Sequence, residues 1–230
     1  MNIAILDLCA PYPTLDQHGT SPELIERWLS PAFKEAVFKA ICVATGEALP
    51  EPRAFDGYIL SGSEKGVYDH VDWIEPLKSF LRQLRKAEIP VFGICFGHQI
   101  MAEAYGGKAV KADKGFVVGV RQYTQLGRSY TAHAMHRDQV VEVPNSATIT
   151  ATSSYCPVAA LDYDFPARSV QFHPEFQHPF VNDAIDDFEG SELDSTEASL
   201  ARISMRDSSV ETSLYAQEIA DFFSHARQAT

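Results

Sequence analysis

The sequence lacks three features, each of which would place it in a common class of protein. No run of residues approaches the roughly 18 apolar positions that cross a bilayer, so no membrane partner is expected. There is no surplus of basic residues: the formal net charge is −12 at pH 7, which argues against a nucleic-acid partner. The four cysteines never form a Cys-x-x-Cys pair, and their spacing fits neither a disulfide scaffold nor a thiolate zinc site.

The remaining composition is that of an ordinary folded chain. Hydrophobic residues make up 45% of the 230 positions, which is enough to bury a sizeable core. We predict one domain over residues 1–230, with a helical tail at about 179–230. The first seven residues contain no basic segment and are interpreted as a strand, not as a signal peptide. Free thiols in a reducing cytosol are expected, and therefore a cytoplasmic location.

Apolar runs and helical spacing alternate along the first half of the chain. Ser21 is predicted to cap a helix with Pro22 at its first position, and a second apolar set at 33–38 could prolong that helix. Periodicity and turn residues predict the other elements of this half: strands at 3–8, 42–49, 55–60 and 89–94, and helices at 72–86 and 96–105.

The second half of the chain changes to short alternating runs, which predict strands at 116–123, 139–143, 148–152, 158–162 and 168–172. From 179 the sequence is acidic and polar to about 196, and it regains helical spacing beyond that point. Together these elements predict an α/β fold with a mostly parallel sheet, helices on both faces and a more antiparallel second half.

The junction at Cys95 is the most informative stretch. A buried apolar strand runs directly into a helix there, with Gly93 and Gly97 two residues to either side. This is the Gly-x-nucleophile-x-Gly pattern of a sharp strand-to-helix turn, in which glycines remove the Cβ clashes of a strained backbone. The helix N-terminus favours a thiolate, and its free N–H groups can hold an oxyanion. The alternative is a structural cysteine packed at a strand end, which is how we interpret Cys9, Cys42 and Cys156.

A nucleophilic thiol needs a base and a group that orients the base. His173-Pro174-Glu175 follows a predicted strand, and Glu175 can accept the Nδ1–H of His173. His98 is a rival base, but it lies three residues from Cys95 and points back over that turn. A metal site at His133 and His136 is a weaker alternative, since no carboxylate or cysteine stands at a recognisable spacing. We predict neither a metal nor another cofactor.

These motifs together resemble the class I (triad-type) glutamine amidotransferases. The resemblance rests on residues 93–99, on 173–175 about eighty positions later and on 59–62 before them, and it spans roughly 1–176. It is greatest for stand-alone domains similar to the amidotransferase part of GMP synthase. It implies a flavodoxin-like three-layer sandwich with a nucleophile elbow. It also implies hydrolysis of the glutamine side-chain amide through a γ-glutamyl thioester, releasing ammonia and glutamate.

The resemblance also implies roles for individual residues. Cys95 would attack the carboxamide carbon. His173 would protonate the departing amine and then activate water, while Glu175 holds the tautomer of His173. The backbone N–H groups of Gly62 and Phe96 would form the oxyanion hole.

Substrate-binding residues are implied in the same way. Gln99, Met135 and His136 would line the glutamine pocket. Two positions depart from the family pattern: Ser63 stands in Ser-Gly-Ser-Glu where the family has Ser-Gly-Gly-Pro, and Met135 replaces a serine in the family's Met-Ser-His-Gly-Asp-x-Val stretch. Both departures lean towards a nonstandard γ-glutamyl substrate.

Three functions stay open at the level of sequence. The first is a glutamine amidohydrolase that supplies ammonia to a synthetase partner in trans, because no ATP-binding loop follows the motifs and 177–230 is too short to build one. The second is a γ-glutamyl peptidase or hydrolase that acts on other γ-glutamyl compounds, similar to the plant γ-glutamyl peptidases. The third is a catalytically silent regulatory module on the same fold. The first two act on a small-molecule substrate.

Overall fold

The computed structural model describes residues 1–113, 115–125, 127–206, 208–210 and 212–228. Eleven strands lie within these residues: β1 (Asn2–Asp7), β2 (Val37–Cys42), β3 (Gly57–Leu60), β4 (Val91–Ile94), β5 (Lys108–Lys111), β6 (Val117–Gln125), β7 (Arg128–His136), β8 (Asp138–Glu142), β9 (Ala147–Thr152), β10 (Ala160–Tyr163) and β11 (Ala167–Val170). The described residues also form six α-helices: α1 (Ser21–Leu29), α2 (Ile74–Lys86), α3 (Phe96–Ala104), α4 (His178–Phe188), α5 (Ser195–Arg206) and α6 (Ser213–Gln228).

Nine of the described strands form one sheet, in the order β2-β1-β3-β4-β11-β10-β9-β6-β7. The five strands from β2 to β11 run parallel to one another, and every later neighbour pairs antiparallel. Strands β5 and β8 form a separate antiparallel pair. The carboxyl ends of β1, β3 and β4 therefore meet at one edge of the sheet, where α/β folds bind their ligands.

Helices cover both faces of the parallel half. On one face α2 and α3 pack on alternate strand residues such as Leu6, Leu60 and Val91. On the other face α1 and α6 pack on the intervening ones, such as Ile5 and Ile59. Strands buried on both sides are expected to be continuously apolar, as β3 and β4 are. The predicted α/β three-layer sandwich is confirmed.

Several predicted elements are wrong in detail. Helix α1 is capped by Thr20, whose side chain and that of Glu23 form a reciprocal capping box, so Ser21 is its first residue and not its cap. The helix stops at Leu29 instead of continuing over 33–38, because Pro31 follows closely and cannot prolong it. The strand predicted at 42–49 lies earlier, at β2. Its side chains are mostly solvent-exposed because it is an edge strand, so its apolar pattern is weak.

The second half contains elements that the sequence patterns did not reveal. Strands β5 and β7 were not predicted. Helix α4 lies in the first part of the predicted helical tail, where the sequence is acidic and polar and no helix was located. The buried residues Val181, Ala184 and Ile185 give α4 its apolar face, which the aspartates between them obscure in the sequence. In the tail, positions 207, 211, 229 and 230 lie outside the described residues. Among the helices of the described residues, none is both long and apolar enough to cross a membrane.

Candidate active site

Cys95 occupies a strained turn between β4 and α3. Its backbone angles are φ 54° and ψ −104°, a left-handed conformation that costs a non-glycine residue about 1–3 kcal/mol. The backbone N–H of Cys95 donates a hydrogen bond of 2.8 Å to the carbonyl oxygen of Val170, which holds the turn against β11. Helix α3 begins at the next residue, so its N-terminal N–H groups and the positive end of its dipole lie beside the sulfur.

Gly93 and Gly97 must be glycines because other atoms lie where their side chains would be. A Cβ on Gly93 would lie 2.5 Å from the sulfur of Met101 and 2.7 Å from the backbone of Gly97. A Cβ on Gly97 would lie 2.8 Å from both the Cβ and the carbonyl oxygen of Leu60. Helix α3 can therefore leave β4 this steeply only because both positions lack a side chain.

His173 and Glu175 form a buried pair at the end of β11. The Nδ1 of His173 lies 2.7 Å from Oε1 of Glu175, and the side chains are 5% and 3% exposed. The backbone N–H of His173 donates to the carbonyl of His133 on β7 at 2.8 Å, which fixes the height of the imidazole above the sheet. The ring of Phe176 stacks on the imidazole, with 4.0 Å between centroids and 4° between planes.

The charges around the imidazole favour its protonated form. Burial by itself lowers the pKa of His173, but the carboxylate of Glu175, together with the charge of Cys95 and a hydrogen bond to it, raises the pKa to about 10. His173 is therefore an imidazolium at neutral pH. The His173 imidazolium and the Glu175 carboxylate thus form a buried ion pair, and Cys95 lines the same cavity.

The turn after β3 lies directly against this pair. A Cβ built on Gly62 would come within 3.1 Å of Cε1 of His173 and 3.7 Å of Cβ of Cys95. Ser61 holds the turn in place: its Oγ accepts from the N–H of Leu8 at 2.9 Å and donates to the carbonyl of Gly62 at 2.9 Å.

Gln99 and His136 converge on the main chain at Asp138. Nε2 of Gln99 donates to the carbonyl of Asp138 at 3.0 Å, and Nδ1 of His136 donates to the same oxygen at 3.0 Å. Burial lowers the pKa of His136 to about 3, so the ring is neutral. Its Nε2 is therefore an unprotonated acceptor. This atom and Oδ2 of Asp138 are buried with no hydrogen-bond partner among the described residues.

Met135 approaches the site through its main chain. The Cys95 thiol lies 3.7 Å from the carbonyl oxygen of Met135. The Met135 side chain packs instead against an apolar cluster that contains Phe176. The backbone of this residue is thus near the sulfur, while its side chain belongs to an apolar wall.

A cavity of about 600 Å³ joins these groups. Seven of the eight residues predicted for the site line it: Cys95, His173, Glu175, Gly62, Gln99, Met135 and His136. The eighth, Phe96, was predicted for its backbone N–H, and its side chain is buried in the core.

The rival base His98 lies outside the cavity lining. Its ring nitrogens lie 2.8 Å from Oγ of Ser169 and 3.2 Å from the carbonyl of Val158, and burial lowers its pKa to about 3. His98 is therefore a core histidine in which both ring nitrogens have a hydrogen-bond partner. Across the part of the chain that the structure describes, no three His, Cys, Asp or Glu side chains are grouped so that they could hold a metal ion.

A family model for class I glutamine amidotransferases matches residues 25–185, well over half of the chain. The chain belongs to the class I glutamine amidotransferase family. The members of this family to which it is similar include both amidotransferases and γ-glutamyl hydrolases.

Two relatives of this amidotransferase-family chain represent these two activities. Gamma-glutamyl peptidase 5 of Arabidopsis thaliana is 33% identical over 146 residues, which cover 57% of this chain and 58% of that protein. The glutamine-hydrolyzing GMP synthase subunit of Methanothermobacter thermautotrophicus is 31% identical over 141 residues, which cover 57% of this chain and 76% of that protein. The chain thus spans less than two thirds of the length of the plant peptidase.

Solved structures of amidotransferases share the fold over nearly the whole chain. A glutamine amidotransferase from Methylobacillus flagellatus superposes with a TM-score of 0.76 at 18% identity, covering 99% of this chain and 93% of that one. One from Thermotoga maritima gives a TM-score of 0.69 at 19% identity, covering 99% and 96%. At such identities the likeness concerns the fold alone.

Some residues of this amidotransferase-family site were not found from the sequence. Gln171 places Nε2 3.7 Å from the Cys95 sulfur, and its Oε1 accepts from Gln99 at 3.2 Å. A polar residue at the end of a buried strand, two positions before His173, is a signal that could have found it. The stack of Phe176 on His173 had no comparable signal, because an apolar residue after a His-Pro-Glu motif is equally compatible with a core position.

Proposed function

We propose that this protein hydrolyses γ-glutamyl amides with Cys95 as nucleophile, and that glutamine is a substrate. The observation that carries the proposal is the buried His173–Glu175 pair, which lines the same cavity as a cysteine at a helix N-terminus. Nucleophile, base and orienting carboxylate are the three parts that covalent acyl transfer requires. A silent regulatory module would have no need of this constellation.

The proposed reaction has two halves. The Cys95 thiolate attacks the γ-carbonyl carbon, and the tetrahedral oxyanion is held by the N–H groups of Gly62 and Phe96. His173 gives its proton to the nitrogen, the C–N bond breaks, and ammonia or an amine leaves a γ-glutamyl thioester. His173 then takes a proton from water, and the resulting hydroxide attacks the carbonyl carbon of the thioester. The C–S bond breaks, glutamate is released and the Cys95 thiolate is regenerated. Glu175 keeps the imidazole oriented through both halves.

The glutamyl head is proposed to bind beside Asp138. Oδ2 of Asp138 and the unprotonated Nε2 of His136 are buried acceptors without partners among the described residues, and both residues line the cavity. An α-ammonium group would satisfy both, since buried polar atoms are rarely left unpaired. Gln99 would fix the main chain of Asp138 through its hydrogen bond to the carbonyl.

A second candidate is a γ-glutamyl peptidase activity on compounds with a larger amine. The cavity of about 600 Å³ lies within the range of about 300–1,000 Å³ that proteins use for drug-sized ligands, whereas glutamine is much smaller. The similarity to Gamma-glutamyl peptidase 5 supports the same candidate. The similarity to a glutamine-hydrolyzing GMP synthase subunit instead supports glutamine hydrolysis coupled to a synthetase partner in trans.

The test is a substrate panel for purified protein: glutamine, glutathione and simple γ-glutamyl amides, with release of ammonia, glutamate and amine measured. Cys95→Ala should abolish turnover of every substrate. Cys156→Ala is the matched control, because it removes a thiol outside the cavity lining and should retain turnover. Circular dichroism of both variants checks that they are folded.

Equal turnover by wild type and Cys95→Ala would refute the proposal. Hydrolysis of γ-glutamyl amides with none of glutamine would select the second candidate. A rate on glutamine that appears only when cell extract is added would indicate a synthetase partner in trans.

A further inference from the structure

The cavity has an apolar wall that glutamine hydrolysis does not use. Several of its lining residues have large apolar side chains, among them Tyr12, Phe116, Met135, Phe176, Phe180 and Phe188. Phe176 is buried, and the other five are only half-buried, so they present apolar surface to the cavity. We refer to these six residues as the aromatic wall.

Ring contacts join the aromatic residues of this wall into two groups. Phe176 packs on Phe180 with 4.3 Å between centroids. Phe188 lies 5.9 Å from Phe116 and 6.1 Å from Tyr12. These residues come from separate parts of the chain, so the surface exists only in the folded protein.

The aromatic wall begins on the side of the catalytic imidazole. Phe176 is stacked on His173, and His173 is the group that protonates the departing nitrogen in the proposed reaction. The partnerless polar atoms of His136 and Asp138 belong to the strand connection between β7 and β8 within the described residues, and they suit the glutamyl head. Phe176 therefore places one end of the wall beside the group that protonates the leaving nitrogen.

The departure from the family pattern at Met135 contributes to the same surface. Its side chain packs with Phe116, Phe180 and Phe188 around one apolar cluster, while its main chain lies beside the Cys95 sulfur. A serine there would interrupt the apolar surface next to the nucleophile. Ammonia, the leaving group of glutamine, is small and strongly hydrated, so it gains nothing from such a wall.

We propose that the aromatic wall is a leaving-group site, and that it selects γ-glutamyl amides whose amine carries an aromatic or similarly bulky apolar group. This inference rests on the proposed γ-glutamyl hydrolysis and names its substrate class. Burial of such a group removes apolar surface from water on both partners, at about 25 cal/mol per Å². Stacked or edge-on rings add to this. Water is the only co-reactant: the products are glutamate and the free aromatic amine.

The experiment compares γ-glutamyl benzylamide with γ-glutamyl methylamide, which differ in the bulk of the amine and share its alkylamine chemistry. Binding is measured by calorimetry on Cys95→Ala, which cannot turn either compound over, and kcat/KM is measured on the wild type. The benzylamide should bind at least tenfold tighter than the methylamide and show a correspondingly higher kcat/KM. Phe180→Ala should reduce this tenfold ratio to threefold or less. The matched control is Phe38→Ala, a half-buried phenylalanine near α1 and outside the cavity lining, which should keep the ratio.

Three results would overturn the leaving-group site: equal binding of the two amides, a ratio unchanged in Phe180→Ala, or tighter binding of γ-glutamyl putrescine, whose second amine is cationic. Hydrolysis of glutamine together with any of these would leave the proposed function standing. Absence of Cys95-dependent turnover on every substrate would refute the proposed function instead, while the binding ratio on Cys95→Ala would still decide whether the wall holds an aromatic amine.

Discussion

The phenyl ring of Phe176 lies parallel to the imidazole of His173, with 4.0 Å between their centroids. On its edge the same imidazole is held by Glu175 through Nδ1 at 2.7 Å. One contact fixes the plane of the ring, and the other fixes its rotation within that plane. Because His173 is cationic at neutral pH, the stack also places a positive charge over the face of an aromatic ring, which is a favourable arrangement.

Replacement of Phe176 by leucine should lower kcat/KM on a γ-glutamyl substrate about tenfold, since a cation–π contact in a desolvated site contributes on the order of 1–2 kcal/mol. The basic limb of the pH–rate profile should also move to lower pH, because loss of the ring disfavours the imidazolium. Phe176→Tyr keeps the ring and should retain both properties. Identical profiles for the leucine and tyrosine variants would show that the stack has no effect beyond packing.

Replacement of Glu175 by glutamine should shift the basic limb of the pH–rate profile downwards from about pH 10, because the carboxylate raises the pKa of His173. The groups facing this imidazole are Glu175, Cys95, His133 and His136. Burial lowers the pKa of both other histidines to about 3, so they are neutral.

The rate of Glu175→Gln should fall by about 10²–10⁴-fold as the imidazole loses its orientation. Glu175→Asp keeps the charge and is the control. The basic limb of its pH–rate profile should stay at the wild-type pH. If the basic limb of the pH–rate profile stays at the same pH in Glu175→Gln, the carboxylate does not raise the pKa of His173 as assigned.

Labelling with 6-diazo-5-oxonorleucine should modify Cys95 alone. Cys9 and Cys42 line the same cavity, so access does not separate them from Cys95. Burial, with the charges of Glu64 and Asp7, raises the pKa of Cys9 to about 12, and burial also raises the pKa of Cys42. Both are therefore thiols at neutral pH, and thiols are poor nucleophiles. Peptide mapping by mass spectrometry measures the outcome, and comparable modification of Cys9 would argue against a specially activated Cys95.

Alanine substitutions at Gly97 and Gly62 should separate folding from catalysis. A Cβ at position 97 meets the backbone of Leu60, which cannot move, so urea unfolding should show a loss of about 1–3 kcal/mol. A Cβ at position 62 meets the edge of the His173 ring at 3.1 Å. Gly62→Ala should therefore keep its stability within about 1 kcal/mol and lower kcat. A destabilised Gly62→Ala with unchanged kcat per folded molecule would contradict the position assigned to this turn.

Acid should destabilise the fold between about pH 6.5 and pH 3. Burial lowers the folded-state pKa of His98 to about 3, whereas the unfolded side chain titrates near 6.5. The unfolded chain then binds more protons, so this contribution to stability is complete above pH 6.5 and is lost as pH falls towards 3. His98→Gln should reduce the slope of the free energy of unfolding by about 1.4 kcal/mol per pH unit in that window, as measured by urea unfolding at pH 6.5, 5.5 and 4.5. An unchanged slope would show that His98 is not buried in its neutral form.

The sequence by itself determined what depends on neighbouring residues along the chain. The glycines around Cys95, the apolar run before it and the helical spacing after it specify a strand-to-helix turn, because each is a local steric requirement. The histidine and carboxylate of His173-Pro174-Glu175 are close in sequence, so their pairing was predictable as well. The α/β fold followed from the alternation of strands and helices.

Only the tertiary structure decided which distant groups meet Cys95. Met135 is forty positions from Cys95 and reaches it through β7, a strand that no periodicity revealed. Phe188 joins the aromatic wall through helix α4, whose short apolar face hid it among acidic residues. Such contacts depend on the order of strands in the sheet, which local patterns do not encode. For this reason the strand-to-helix turn at Cys95 could be predicted from the sequence, whereas the shape of the cavity around it could not.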